Sequence, residues 1–397
     1  MTMQWPVSGG PPGHRCEASD LNTVCAPVEY CIDAVIPSPG CRSSRGVLNR
    51  RAWRRRGNNV TLLRPAVSNL VDARPDPATR FGSWVTRQRL RGAIGVLWLI
   101  AGGLQLQPFM FTGEFASDVL GSAALSQPTP LHDVITSVEG HVAAHPAVWN
   151  IVFAGGELLI GAAMLLSRRG RLARVACASS VAFGGGVWIV GEGAGGLLTG
   201  HAALSTGAPG AALLYVVLTV ASWPELASGQ TTQPQKGLPE KDLPAALLGR
   251  TWILVWVSGA VLALLPAQRG VSGLSDQAAM GWMMSPAWAT HPTHALASWL
   301  VGLAPWTAAA ISAALALLFL AIAGGARIRG TLGGRAMIAG VVLALALWMF
   351  GQGFGGLSTG TATDVGTGPL LVLLAIAVHA SRRTAPLDEP KITQERR

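Results

Sequence analysis

The sequence predicts an all-α membrane protein with eight transmembrane helices, built as two tandem four-helix repeats related by a parallel pseudo-twofold axis along the membrane normal. Three observations carry this. Of the 397 residues, half are hydrophobic and only 13% are charged, roughly half the charge of an ordinary soluble domain. The deficit is concentrated between residues 94 and 380, where apolar blocks alternate with short polar or glycine-rich breaks. A glycine- and threonine-rich stretch then occurs twice, in the same residue order.

Residues 1–88 differ from the rest. They hold Pro/Gly clusters, scattered cysteines and a basic run at Arg50, Arg51, Arg54, Arg55 and Arg56, with no apolar period. This composition predicts a disordered cytoplasmic segment. No signal-peptide pattern follows Met1. A second reading places the start of translation downstream, with Val60 as an alternative initiator; detecting a cellular peptide from residues 1–50 would refute it.

Eight apolar blocks follow, at about 92–111, 147–166, 173–190, 207–223, 247–266, 303–323, 335–351 and 365–381. Inside a bilayer each must satisfy its backbone hydrogen bonds internally, so each is predicted helical. Continuous apolar runs without period-2 alternation exclude a β-barrel. The domain plan is a first repeat at 89–223, a cytoplasmic linker at 224–246, a second repeat at 247–383 and a cytoplasmic tail at 384–397. Trp149, Trp188, Trp223, Trp252, Trp306 and Trp348 fall near block ends, where amphipathic rings suit the membrane interface.

Lysine and arginine orient the chain. Arg80, Arg87, Arg89 and Arg91 precede the first block, and the connection at 112–146 has neither residue. Arg168, Arg169, Arg171 and Arg174 lie between the second and third blocks, and the next connection has none. The alternation continues through Lys236, Lys241 and Arg250, a lone Arg269, then Arg327, Arg329 and Arg335, a 7–8 connection without Lys or Arg, and finally Arg382 and Arg383. The positive-inside rule therefore places both termini in the cytoplasm of a cell-membrane protein. The net charge of +10 is explained by these loops. No basic stripe with interleaved aromatics exists, so nucleic acid is not a partner and the lipid bilayer is. Cys16, Cys25, Cys31 and Cys41 form no Cys-x-x-Cys pair, which argues against zinc. Their cytoplasmic side argues against disulfides. Cys177 lies alone in an apolar block, as a small packing residue.

The repeated stretch runs WIVGEGAGGLLTGHAALSTGAP from Trp188 to Pro209 and WMFGQGFGGLSTGTATDVGTGP from Trp348 to Pro369. At a constant offset of 160, 10 of 22 positions are identical, from Trp188/Trp348 through Thr199/Thr359 and Gly200/Gly360 to Pro209/Pro369. The first helices align as well: Trp98, Leu104, Leu106 and Pro108 match Trp256, Leu262, Leu264 and Pro266. The last block has a clean apolar run of only 12 residues, Pro369 to Ala380. That is about 18 Å of helix against a hydrocarbon core of about 30 Å. Part of each Gly/Thr motif is therefore expected at membrane depth, as a folded-in hairpin or broken helix, with the two facing each other near the pseudo-axis. The functional reading is a pore or pocket lined by glycine backbone, Thr199 and Thr359. The bland one is close helix packing through small residues.

Several side chains are candidates for the site. Glu192 sits in the first motif and is replaced by Gln352 in the second, while Asp364 occurs only in the second. These read either as a cation or proton site or as solvated outer-loop groups. Glu157, mid-helix in Phe153-Ala-Gly-Gly-Glu157-Leu-Leu-Ile-Gly161, is a carboxyl at membrane depth, costly and a functional candidate by default. The alternative is a protonated acid bonded to a neighbouring helix. The corresponding stretch around Ala313–Leu318 is wholly apolar, so the second repeat lacks this group. His291, His294, Met283 and Met284 are weak copper candidates. Gly191, Gly193 and Gly196 spell G-x-G-x-x-G but follow a membrane helix, so a dinucleotide loop is excluded by context. No catalytic triad, phosphate-cradling loop or HExxH is present. The cofactor and oligomeric state are not legible.

Leu90–Leu106 (LRGAIGVLWLIAGGLQL), the later Glu157-Leu-Leu-Ile-Gly161 and the basic turn Arg168–Arg174 together resemble the DoxX-like four-helix membrane family. The resemblance covers about three helices and transfers only Glu157. It implies a redox accessory protein working with quinone or a membrane oxidoreductase partner. Three classes therefore remain: a small-solute or ion permease or accessory subunit with its site at the Gly/Thr pair, a redox accessory protein using Glu157, and a metal-handling protein.

Overall fold

The computed structural model describes residues 85–167, 170–224, 243–328 and 330–384. Most of the N-terminal segment, the linker from 225 to 242, the tail from 385, Arg168, Arg169 and Arg329 lie outside the described residues, as do Cys16, Cys25, Cys31 and Cys41. Among the described residues there are helices and connecting turns and no strand.

The helices are α1 (Arg87–Leu104), α2 (Thr129–Ala144), α3 (Pro146–Leu166), α4 (Gly170–Gly186, continued as a wider turn over Val187–Gly191), α5 (Ala211–Ala221), α6 (Ala245–Ala263), α7 (Val271–Met283), α8 (Thr290–Val301), α9 (Pro305–Gly325), α10 (Thr331–Phe350) and α11 (Thr367–Thr384). Five are long and apolar enough to cross a membrane: α3, α4 through Gly191, α6, α9 and α10. The protein thus has the helices of a membrane protein. α1 opens with Arg87, Arg89 and Arg91 in its first turns, which dilute its apolar stretch. α5 has 11 residues, about 16 Å of rise, well short of the hydrocarbon core.

Several boundaries differ from the sequence expectation. The first block was expected to reach residue 111, but α1 ends at Leu104 and Pro108 opens a separate 3-10 turn over Pro108–Phe111, since proline has no N–H to continue the ladder. The connection expected between the first two blocks contains α2, and the one between the fifth and sixth contains α7 and α8.

Packing divides the helices into two rings. α1 packs on α3, α3 on α4, α4 on α5, and α5 back on α1. α6, α9, α10 and α11 close a second ring in the same order, and α5 meets α6 and α11 where the rings join. α1 and α3 cross where Gly95 and Gly161 face each other: a Cβ on either would press on the other's carbonyl oxygen. Small residues let apolar helices approach this closely. At one end arginines cap helix C-termini, where carbonyls lack partners. Arg91 donates to Ser222 O at 2.9 Å, Arg87 to Trp223 O at 3.1 Å, and Arg382 to Ala326 O.

Trp252 corrects the interfacial reading. It is fully buried and packs edge-on against buried Trp256 at 5.4 Å. Its partner surface is Gly340, where any side chain would collide with the indole. By contrast Trp306 is exposed, as an interfacial ring should be.

Candidate functional site

The two Gly/Thr motifs adopt one backbone shape. Residues 193–196 and 353–356 are each four consecutive left-handed positions: φ is 52°, 54°, 65° and 66° in the first and 51°, 62°, 68° and 66° in the second. L-residues resist this conformation and glycine does not. The spacing G-x-G-G is therefore a conformational demand, with Ala194 and Phe354 as the two strained exceptions. Phe354 is held between Trp348 and Trp288 at 5.2 and 5.0 Å. Close approach adds to the demand: a Cβ at Gly195 would strike Pro209 O, and one at Gly355 would strike Val365 O.

Each elbow is tied to the helix that follows it. Trp188 Nε1 donates to Pro209 O at 2.7 Å, and Trp348 Nε1 to Val365 O at 2.8 Å. Glu192 Oε1 accepts from Ala212 N at 3.0 Å, and Gln352 Oε1 accepts from Thr367 N at 3.0 Å. Neither residue is a solvated loop group. Both satisfy free N–H groups at a helix start. These pairings also correct the ungapped alignment. After Gly200 and Gly360 the second elbow is four residues shorter, so Gly210 and Gly366 correspond, and Pro369 lies inside α11 instead of matching Pro209.

The elbows bring the acidic candidates together. A cavity of about 270 Å³ lies inside the first ring. Its walls are Trp98 and Gln105 of α1, Phe115 and Val119 of the connection, Val138 of α2, Phe153 and Glu157 of α3, Phe183, Gly186 and Val190 of α4 and its extension, Glu192, Tyr215 of α5, and Thr363 and Asp364 from the second elbow. Glu157 is 5% exposed and its Oε2 has no hydrogen-bond partner. Glu192 Oε2, Gln105 Oε1 and the Tyr215 hydroxyl are likewise buried and unpaired. Such groups are costly unless something meets them. No lysine, arginine or histidine lines the space.

Glu192 stands one residue beyond α4's spanning stretch, and Asp364 lies in the second elbow. Both face the cavity. Burial pushes the Glu192 carboxyl up to about 8; the nearby Asp364 adds to this, and backbone N–H bonds from Ala212 and Ala211 oppose it. Burial also raises Asp364, against one bond from Gly366 N. Glu192 and Asp364 additionally wall a larger vestibule of about 840 Å³, with Thr199, His201, Met283, Met284 and Gln352. They stand where cavity and vestibule meet.

The second ring has only a residual space of about 30 Å³ in the comparable place, between Gly259, Ser312, Phe319 and Leu347. Leu204 of the first elbow fills it, 3% exposed and pressed on Gly259 and Phe319. The same elbow is wired to α7: Ser205 donates to Gln277 Oε1, Gln277 to Gln268 Oε1 at 2.6 Å, and Gln268 to His201 O. Each elbow thus reaches into the opposite ring, one with a leucine and the other with an aspartate.

The remaining candidates fall elsewhere. Thr199 lines the vestibule, while its hydroxyl and that of Thr359 close their own turns, bonding Gly196 O at 2.8 Å and Gly356 O at 2.7 Å. Gly200 and Gly360 take φ of 76° and 79° and end those turns. His294 packs edge-on against Trp282 at 4.6 Å, His291 is exposed, and Met284 packs against Gly353 and Gly356. Among the described residues no three His, Cys, Asp or Glu could share a metal ion. Sequence reasoning missed Gln105, Trp98, Phe183 and Tyr215. Tyr215 carried a signal, as one of only two tyrosines, placed in an apolar block.

These features define an all-helical protein with membrane-length apolar helices around a carboxyl-bearing cavity. Set against protein-family models, curated proteins and solved structures, the chain matches none. The DoxX-like resemblance gains no support from them.

Proposed function

We propose that this chain is a multi-pass membrane permease or solute-binding subunit whose site is the cavity of the first ring. It crosses a cell membrane eight times as a duplicated four-helix module, with both termini cytoplasmic. The alternation of basic and non-basic connections supports the crossing count. The matching ring order and elbow geometry support duplication. α1, α5 and α11 then complete the crossings, and the shortness of α5 is offset by its elbow lying at membrane depth, enclosed by protein. The clustering of the arginine caps on Ser222, Trp223 and Ala326 at one end supports taking that end as the cytoplasmic one.

One observation carries the functional reading. The cavity holds unpaired buried oxygens of Glu157 and Glu192, takes Asp364 from the other ring, and meets an open vestibule at those last two residues. A space of this kind suits a small solute, at the lower end of ligand-pocket volumes. The test is uptake into proteoliposomes holding the full chain, with choline, glycerol, urea and acetate as probes. At least one enters faster than into protein-free vesicles, and Gly186→Leu, at a cavity-lining position with open space beside it, slows it. Equal rates for all four with and without protein would refute transport.

A further inference from the structure

The nature of the cavity wall narrows the solute. The wall is mostly apolar and aromatic, yet three carboxyl residues line it: Glu157, Glu192 and Asp364. No basic side chain offsets them there. Buried acids are normally paired or bonded, and here Glu157 Oε2 and Glu192 Oε2 have no partner. Trp98, Phe183 and Tyr215 form a joined aromatic surface beside them, with ring centroids 5.6 and 4.5 Å from Trp98. Aromatic faces and carboxylates both attract cations, and apolar walls exclude strongly hydrated ones. The Tyr215 hydroxyl and Gln105 Oε1, both buried and unpaired, supply further dipoles.

Resting on the reading of this cavity as a solute site, we infer that it takes a monovalent organic cation with an apolar body, an alkyl- or aryl-ammonium of modest size. The positive centre sits among Glu157, Glu192 and Asp364, and the apolar body lies against Trp98 and Phe183. The second ring, whose counterpart space is filled by Leu204 and carries no acid, does not bind it.

The experiment is saturable binding to the full chain in lipid nanodiscs, with radiolabelled phenyltrimethylammonium and its neutral carbon isostere, tert-butylbenzene. One ammonium binds per chain, about tenfold or more tighter than the isostere. Glu157→Gln weakens the ammonium by a similar factor and leaves the isostere unchanged. Gly186→Leu, at a position where an added Cβ meets nothing within 4 Å, blocks both. Thermal unfolding confirms that each variant is folded, and the two differ in effect, so misfolding of one does not decide the matter. Equal binding of ammonium and isostere, both blocked by Gly186→Leu, would overturn the cation while leaving the solute cavity. Ammonium binding insensitive to Gly186→Leu would place it elsewhere. No saturable binding of either probe would overturn both readings.

Discussion

Glu192→Gln is the most informative single substitution at the elbows. The protein contains its own template, because Gln352 makes the equivalent bond to Thr367 N. Glutamine at 192 therefore keeps the acceptor for Ala212 N, cannot ionise, and puts an amide NH2 where Oε2 stands. In the folded chain the carboxyl is raised from the usual 4.5 to about 8. Between those values the unfolded chain binds fewer protons than the folded one, so stability falls as pH rises through the window. The cost of this one group is about 1 kcal/mol at pH 5.5 and about 4 kcal/mol at pH 7.5. Relative to wild type, Glu192→Gln should gain about 2–3 kcal/mol more at the higher pH, about 4 °C in Tm for a chain of this size. The assay is thermal unfolding of both proteins in detergent at the two pH values. An unchanged pH slope in the variant would refute the claim that Glu192 is held neutral by burial beside Asp364.

Other outcomes follow from the same geometry. Gly195→Ala puts a side chain on a left-handed residue and into Pro209 O; it should lower stability by about 3 kcal/mol or more, whereas Gly103→Ala, in open space within α1, should be near neutral. Leu204→Ala should cost about 2–5 kcal/mol by opening a void beside Gly259 and Phe319, read as a fall in Tm; a neutral result would mean that the leucine does not fill the second ring. Phenyltrimethylammonium binding should tighten up to about tenfold per pH unit below pH 8 as Glu192 loses its proton. The groups facing that site are Glu157, Glu192, Asp364 and Tyr215 in the cavity, with Asp118 and His201 in the vestibule. A flat profile from pH 6 to 8 would contradict it.

Much of the helical architecture was legible in the sequence because a bilayer demands long apolar runs. Each of the eight expected blocks contains a helix. The helices α2, α7 and α8 were not legible: they are short, mixed in polarity and lie within the connections, where hydropathy gives no contrast. The glycine motif was visible, but its meaning was not. Composition cannot separate a glycine needed for close packing from one needed for positive φ, and here Gly193, Gly195 and Gly196 serve the backbone. Glu157 was found because an acid in an apolar helix stands out. That Asp364 joins it was hidden, because the two are 207 positions apart in sequence and meet only through the exchange of elbows.

That exchange can be measured directly. In a variant lacking the native cysteines, Ser205→Cys and Gln277→Cys place thiols where two side chains now touch, and a protease site inserted in the 225–242 linker separates the rings after oxidation. The account predicts that the cleaved halves stay joined on a non-reducing gel and part on reduction. Halves that separate without reductant, while a control pair on adjacent turns of one helix still closes, would contradict the folded-in elbows.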